Sequence, residues 1–376
     1  NPTHDRTISI VTQIYTQSRP PLYDRLEDVL TSVISNGNDK PEYYRTLIDA
    51  LLKQKKTDIA TNISINYIKN SGEAQQSCEQ VADLFKNNSM VIEGLEFFNQ
   101  YWKENPGMVN LGITVGMLNE SKGDPRAAEV AYIEVLNNSV TAHRARTHLA
   151  LLYVQTNKID NALALYSGID FDDPEEVPVK LSISEALFQQ TPAQFRKIES
   201  IMESVENKAG VNSRVFFTKG RAQAAQDRLE DAVANFNKAL IEDPSNIEYL
   251  YILSQTEFER ENFDVAADAI SKAVQYRPDA KTLYILQGII FDRMGNVEKA
   301  EDAYQAGIDV QSRDNSALPT LWNNYSYLLS ENDKDLEKAL ELAQQAIRAE
   351  PENSSFLDTI GWVHFKLGNF EEALSN

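Results

Sequence analysis

The residues of this chain best suited to ligating a metal or moving a proton are four histidines and one cysteine. Their spacing assembles nothing. His143 and His148 are five residues apart, which on a helix turns them to different faces, and no acidic ligand is spaced with them. His4 stands alone near the N-terminus, and His364 reads as a structural or surface residue. Cys78, the sole cysteine, excludes an internal disulfide and a cysteine-built zinc site. No phosphate-binding loop, dinucleotide-binding glycine pattern, HExxH or nucleophile elbow is present. Acidic pairs such as Asp172–Asp173 and Glu371–Glu372 are sequence neighbours, an arrangement that assigns neither partner an acid or base role. Gly112 and Gly116 form a GxxxG that marks close helix packing, and the sequons at Asn62 and Asn324 fall inside helices. The expectation is a protein with no catalytic residues, no metal and no cofactor.

If chemistry is absent, the side chains that matter are those offered to a partner, and their placement depends on the elements beneath them. Small residues recur every 34 positions at Ala60, Gly94, Ala128 and Ala162, and again at Ala232, Ala266 and Ala300. Ala232, Phe236 and Ala239 are spaced i, i+4, i+7 and share one helix face. Tyr132, Tyr166 and Tyr304 stand where Phe236 does. Pro106, Pro244, Pro278 and Pro351 close their units, because a helix cannot run through proline and the next can start just after it. Gly123, Asn157, Asp227, Gly295 and Gly368 follow first helices, where a left-handed residue is needed. On this register, units begin at Pro41, Gln75, Val109, His143, Val177, Ser213, Ile247, Lys281, Leu318 and Ser354. Residues 3–40 read as one more helix pair, broken near Arg19-Pro20-Pro21.

A single core rarely grows past ~250–300 residues, whereas stacked repeats escape that limit. The 376-residue chain is 42% hydrophobic, an ordinary value for a folded protein, and carries a formal charge of −20. Such a surface repels phosphate backbones and anionic lipid, so nucleic acid is not an expected partner. No apolar run reaches 18 residues, so no transmembrane segment is expected.

The pattern resembles the tetratricopeptide repeat family, with its 34-residue period and aromatic–Leu-Gly–Tyr…Ala…Phe…Pro signature. The resemblance covers residues 41–376, is strong at 143–169 and 213–376, and is weakest at 177–212. It implies an all-α fold: a right-handed superhelical solenoid of about eleven antiparallel helix pairs. Four parts are expected: a non-consensus pair at 1–40, a repeat array at 41–172, a degenerate hinge repeat at 173–212, and a second array at 213–376. The hinge is suggested by DDPEEVP at 172–178 and by Arg196 where alanine is expected. Three extra residues precede Leu318, and two more lengthen the turn near Lys334 and Asp335.

In this family the first helices line a concave wall. Carried onto this sequence, that wall shows Phe217, Arg221, Tyr251, Gln255, Phe258, Ile285, Ile289, Trp322, Trp362 and Phe365 in the C-terminal half. In the N-terminal half it shows Arg45, Asp49, Glu79, Asp83, Ile113 and Met117, a more charged set. An aromatic groove with a few polar groups suits an extended peptide or an amphipathic helix. Arg214 and Arg221 share a face but lack the Lys and Asn partners of the family's carboxylate clamp.

The resemblance implies a non-catalytic adaptor that binds a protein or peptide. The last two units, LWNNYSYLLSENDKDLEKALELAQQAIRAEPEN and FLDTIGWVHFKLGNFEEAL, are similar to bacterial envelope tetratricopeptide lipoproteins, one group of which serves a carboxyl-terminal processing protease. That similarity implies a periplasmic or outer-membrane-anchored protein with a lipid anchor upstream of Asn1, the cytoplasm being the alternative. Two other roles stay open. Phe370, Ala373 and Leu374 leave an uncapped apolar face through which a homo-oligomer would assemble. The chain would otherwise be the regulatory part of a larger enzyme or secretion complex.

Overall fold

A computed structural model describes residues 5–72, 74–139, 141–166, 177–190, 193–209, 212–314 and 318–375. The chain separates into two units, residues 1–170 and 171–376. All regular structure among the described residues is helical: twenty-two α-helices, which pair into eleven hairpins.

Unit 1 holds α1 (Asp5–Gln17), α2 (Tyr23–Ser35), α3 (Pro41–Lys53), α4 (Thr57–Asn70), α5 (Ala74–Asn87), α6 (Val91–Glu104), α7 (Val109–Lys122), α8 (Pro125–Asn138), α9 (His143–Gln155) and α10 (Ile159–Ala164). Unit 2 holds α11 (Val177–Phe188), α12 (Phe195–Ala209), α13 (Ser213–Ala224), α14 (Leu229–Glu242), α15 (Ile247–Glu259), α16 (Phe263–Tyr276), α17 (Lys281–Arg293), α18 (Val297–Asp314), α19 (Pro319–Glu331), α20 (Leu336–Ala349), α21 (Ser354–Lys366) and α22 (Phe370–Ser375). Within each unit, every helix packs on the next.

The 34-residue beat has a steric cause. Ala60, Ala128, Ala162, Ala232, Ala266 and Ala300 are wholly buried, and Gly94 is buried with them. A larger side chain there would force the two helices of a hairpin apart. The first helix answers with its own small residue. A Cβ on Gly116 would come within 2.2 Å of the Tyr132 ring, and one on Gly288 within 2.4 Å of Tyr304. In two of the hairpins that use serine instead, the Ser254 hydroxyl donates to the Ala266 carbonyl and that of Ser326 to the Ala339 carbonyl, at 2.8 and 2.7 Å. The bond satisfies a hydroxyl that close packing would otherwise strand.

The turns keep the same beat. Residues 55, 89, 123 and 157, then 227, 261 and 295, all have positive φ, as do Asp333 and Gly368. The left-handed residue is therefore an obligation of the turn even where glycine is absent. Between hairpins, Asn212, Asn246 and Asn353 cap the helices that follow, accepting bonds from backbone N–H groups. Such a cap is worth about 1 kcal/mol.

Two registers differ from the sequence expectation. Arg196 is exposed, and the small-residue station of its hairpin is held by Ile198, with Met202 and Val205 behind it, all at most 2% exposed. These stand 34 residues before Ala232, Phe236 and Ala239, so the extra residues fall in the turn between α11 and α12. Near the other insertion, α18 runs 18 residues where α14 and α16 run 14. The added length prolongs that helix and displaces the next start to Pro319. The proposed hinge segment at 172–176 lies outside the described residues.

Candidate functional site

In each unit the first helices form a continuous row. Contacts link α3, α5, α7 and α9 in unit 1, and α15, α17, α19 and α21 in unit 2. Counted from the first residue of each of those helices, the fifth, ninth and twelfth side chains decide what the row presents.

The middle of the unit 2 row is apolar. Tyr251, Gln255, Phe258, Ile285 and Ile289 are all half-buried. The Gln255 amide donates to the Tyr251 hydroxyl at 3.2 Å, and Phe258 leans on Phe263 at 5.5 Å. Tyr251 and Phe258 rest on the hairpin core through one edge and leave the other open.

Phe217 is different. It is 5% exposed, wedged between Phe236 and Tyr249 with centroids 5.7 and 4.4 Å away, so it is core and not wall. Arg221 is half-buried and engaged: it pairs with Glu185 of α11 at 2.7 Å and its guanidinium lies 4.5 Å over Phe188. Ile113, expected on the unit 1 wall, is 2% exposed and also belongs to the core.

Trp322 needs a change of frame. Ser326 makes the bond that Ser254 makes, so the two are equivalent, and Trp322 falls at the Leu250 station. It packs half-buried against the α19–α20 core. The residue equivalent to Gln255 is Tyr327, 44% exposed. Burial pushes the Tyr327 hydroxyl pKa up, and the charges of Glu331, Asp292 and Asp358 push the same way while Arg293 opposes them. Three first helices thus bring acids to one tyrosine. The serine at the close-packing station was the sequence signal that could have located it.

Trp362 and Phe365 lie on α21, stacked at 5.3 Å, and Phe365 meets Phe370 at 5.8 Å. With Leu357, Ala373 and Leu374 they border a groove of about 660 Å³. The Trp362 indole N–H is buried there without a partner.

The unit 1 row is polar and internally paired. Asp49 holds Lys53 at 2.6 Å and Asn88 at 2.9 Å, and Glu79 holds Arg144 at 2.6 Å. Burial pushes the Cys78 thiol up to about 12, which leaves it inert near neutral pH. Among the described residues there is no cluster of metal-ligating side chains, and no helix is long and apolar enough to cross a membrane.

Similarity to known proteins follows the better-formed repeats. The family model for the tetratricopeptide repeat matches residues 217–281 and again 251–317. Protein STIP1 homolog of Dictyostelium discoideum is 24% identical over 159 residues, covering 41% of this chain and 26% of its own length. The chain therefore spans about a quarter of that curated relative. Among solved structures, yeast Tom70 aligns over 99% of this chain and 91% of its own, with 12% identity and a TM-score of 0.43. MamA 41-end from Desulfovibrio magneticus RS-1 aligns over 49% of this chain and 99% of its own, with 16% identity and a TM-score of 0.42. The 34-residue register and its packing stations are similar to those of tetratricopeptide repeats, and residues 217–317 are the part of the chain that the family model matches.

Proposed function

We propose that the chain is a non-catalytic scaffold whose first-helix row in unit 2 binds a peptide or helix of another protein. The supporting observation is the run Tyr251, Phe258, Ile285 and Ile289: large apolar side chains half-buried on a rigid backbone and open on one edge. Such groups gain most when a partner completes their burial. The acids around Tyr327 add a preference, since Asp292, Glu331 and Asp358 favour a partner with a basic residue beside its apolar anchors. Trp362 and Phe365 extend the same surface, with an indole N–H suited to a backbone carbonyl.

The test is the double variant Tyr251→Ala with Phe258→Ala, used as bait in extract of the source organism beside the wild type. Proteins retained by the wild type should be lost, with helicity by circular dichroism unchanged. Identical capture by both baits would move the site elsewhere.

The finer reading, an envelope adaptor for a processing protease or its substrates with a lipid anchor upstream of Asn1, rests on the likeness of the last two units alone. Membrane fractionation of the native protein tests it, and recovery only in the soluble cytoplasmic fraction would end it. A second reading, self-assembly, is favoured by the exposure of Phe370 and Leu374, 59% and 89%. Light scattering that stays monomeric across a concentration series would remove it.

A further inference from the structure

A groove of about 430 Å³ lies between α4 and α6, the second helices of neighbouring hairpins in unit 1. Its lining combines acids with aromatic rings. Asp58 comes from α4, and Glu93, Glu96 and Glu104 come from one face of α6. Eleven residues of helix separate Glu93 from Glu104, or roughly 16 Å at 1.5 Å per residue. No lysine or arginine lines the groove. Among the described residues, Asp58, Glu93 and Glu96 have no ion-pair partner, and Glu104 accepts a single bond from Gln100 at 3.1 Å. The nearest ring–cation contact is Lys69, 6.0 Å over Tyr101.

Acids on a helix surface are by themselves a solvated face. The floor adds an independent observation. Phe97 and Tyr101, 8% and 3% exposed, form the base of the groove. The Tyr101 hydroxyl is buried and has no hydrogen-bond partner. A stranded hydroxyl is costly, and a natural fold rarely keeps one without a reason. The corresponding groove of unit 2, between α14 and α16, is lined by Ile241, Val265 and Tyr276, and its Asp268 is neutralised by Lys272 at 2.6 Å. The open acids are therefore particular to this groove and are not a by-product of repeat geometry.

We propose that the α4–α6 groove binds an arginine- or lysine-bearing segment of a partner protein, at a site separate from the first-helix row. A guanidinium fits best. Its plane lies against an aromatic floor while its N–H groups reach carboxylates on both walls. The same donors, or a backbone N–H of the segment, satisfy the Tyr101 hydroxyl oxygen.

The experiment uses the full chain and a fluorescein-labelled, alanine-based helical peptide with arginines at i, i+4, i+7 and i+11, read by anisotropy at about 0.15 M salt. Because the whole molecule is acidic, the control matters most. The groove variant Glu93→Gln/Glu96→Gln/Glu104→Gln should weaken binding about ten-fold. A control with the same charge change on exposed sites of unit 2, Glu230→Gln/Glu242→Gln/Glu341→Gln, should change it less than about two-fold. Tyr101→Phe should weaken binding while raising or preserving the melting temperature, as removal of an orphan hydroxyl predicts. Tyr251→Ala with Phe258→Ala should bind the peptide as the wild type does, which separates this site from the inner row. Absent binding, an equal loss in the unit 2 control, unchanged affinity in Tyr101→Phe, or displacement by equimolar spermine would each overturn the proposal.

Discussion

Units 1 and 2 share one packing code and present opposite surfaces. Along the first-helix row, unit 1 shows Asp49, Glu79 and Arg144 already paired, whereas unit 2 shows Tyr251, Phe258 and Ile289 open on one edge. Between the second helices the roles reverse: unit 1 offers unpaired carboxylates between α4 and α6, and unit 2 offers Ile241 and Tyr276 between α14 and α16. The stations that build a hairpin are wholly buried in both units. The stations that face outward are free to differ, so fold and recognition are written in separate letters of the same repeat.

The shared code is the part easiest to break. Ala239 is fully buried beside Phe236, and Ala239→Arg should cost more than ~3 kcal/mol through overpacking and a buried charge. An unchanged melting temperature would mean that the register is wrong. Gly116→Val in unit 1 and Gly288→Val in unit 2 both drive carbon into a tyrosine ring. Each should lose roughly 2–4 kcal/mol, and the two losses should be similar. Thermal melts that show one site tolerant and the other not would show that the two units do not share a packing rule.

A smaller effect should be confined to unit 1. His148 stacks on Tyr132 at 5.6 Å, and burial holds its pKa below the usual 6.5, with the Arg144 charge acting the same way and Glu120 and Glu79 opposing. As pH falls through 6.5, the unfolded chain takes up a proton that the folded imidazole resists, so stability declines on acidification. The melting temperature of His148→Gln should therefore fall less steeply than that of the wild type between about pH 7 and 5.5. Parallel slopes would assign the acid sensitivity to carboxylates alone.

The sequence was most readable where one residue type satisfies one steric need. Helices begin at Pro41, Val109, His143, Val177, Ser213, Ile247, Lys281 and Ser354, as the register predicts, because alanine, glycine and proline at fixed stations leave little choice. It was least readable where an insertion can be absorbed in two ways. Residues added before Pro319 could have formed a loop, and they lengthened α18. That choice puts Trp322 at the position of Leu250 and Tyr327 at that of Gln255. Phe217 and Ile113 were misjudged for another reason: the family geometry assigns both to the wall, and the structure buries both in the hairpin core, at 5% and 2% exposed. For Phe217 the deciding contacts are the Phe236 and Tyr249 rings of other helices, which periodicity along one helix does not reveal. The α4–α6 groove is visible in sequence as glutamates at i, i+3 and i+11, but the stranded Tyr101 hydroxyl beneath them requires coordinates.

The obligatory left-handed turn residue carries a lesson about evolutionary slack. Lys55, Ser89 and Glu261 occupy a backbone region that disfavours any side chain, while Gly123, Gly295 and Gly368 meet the same demand freely. Each of these three turns carries a torsional cost of about 1 kcal/mol that the glycine turns avoid. An engineer could rank the repeats by this single torsion and know where thermal resilience is still to be gained.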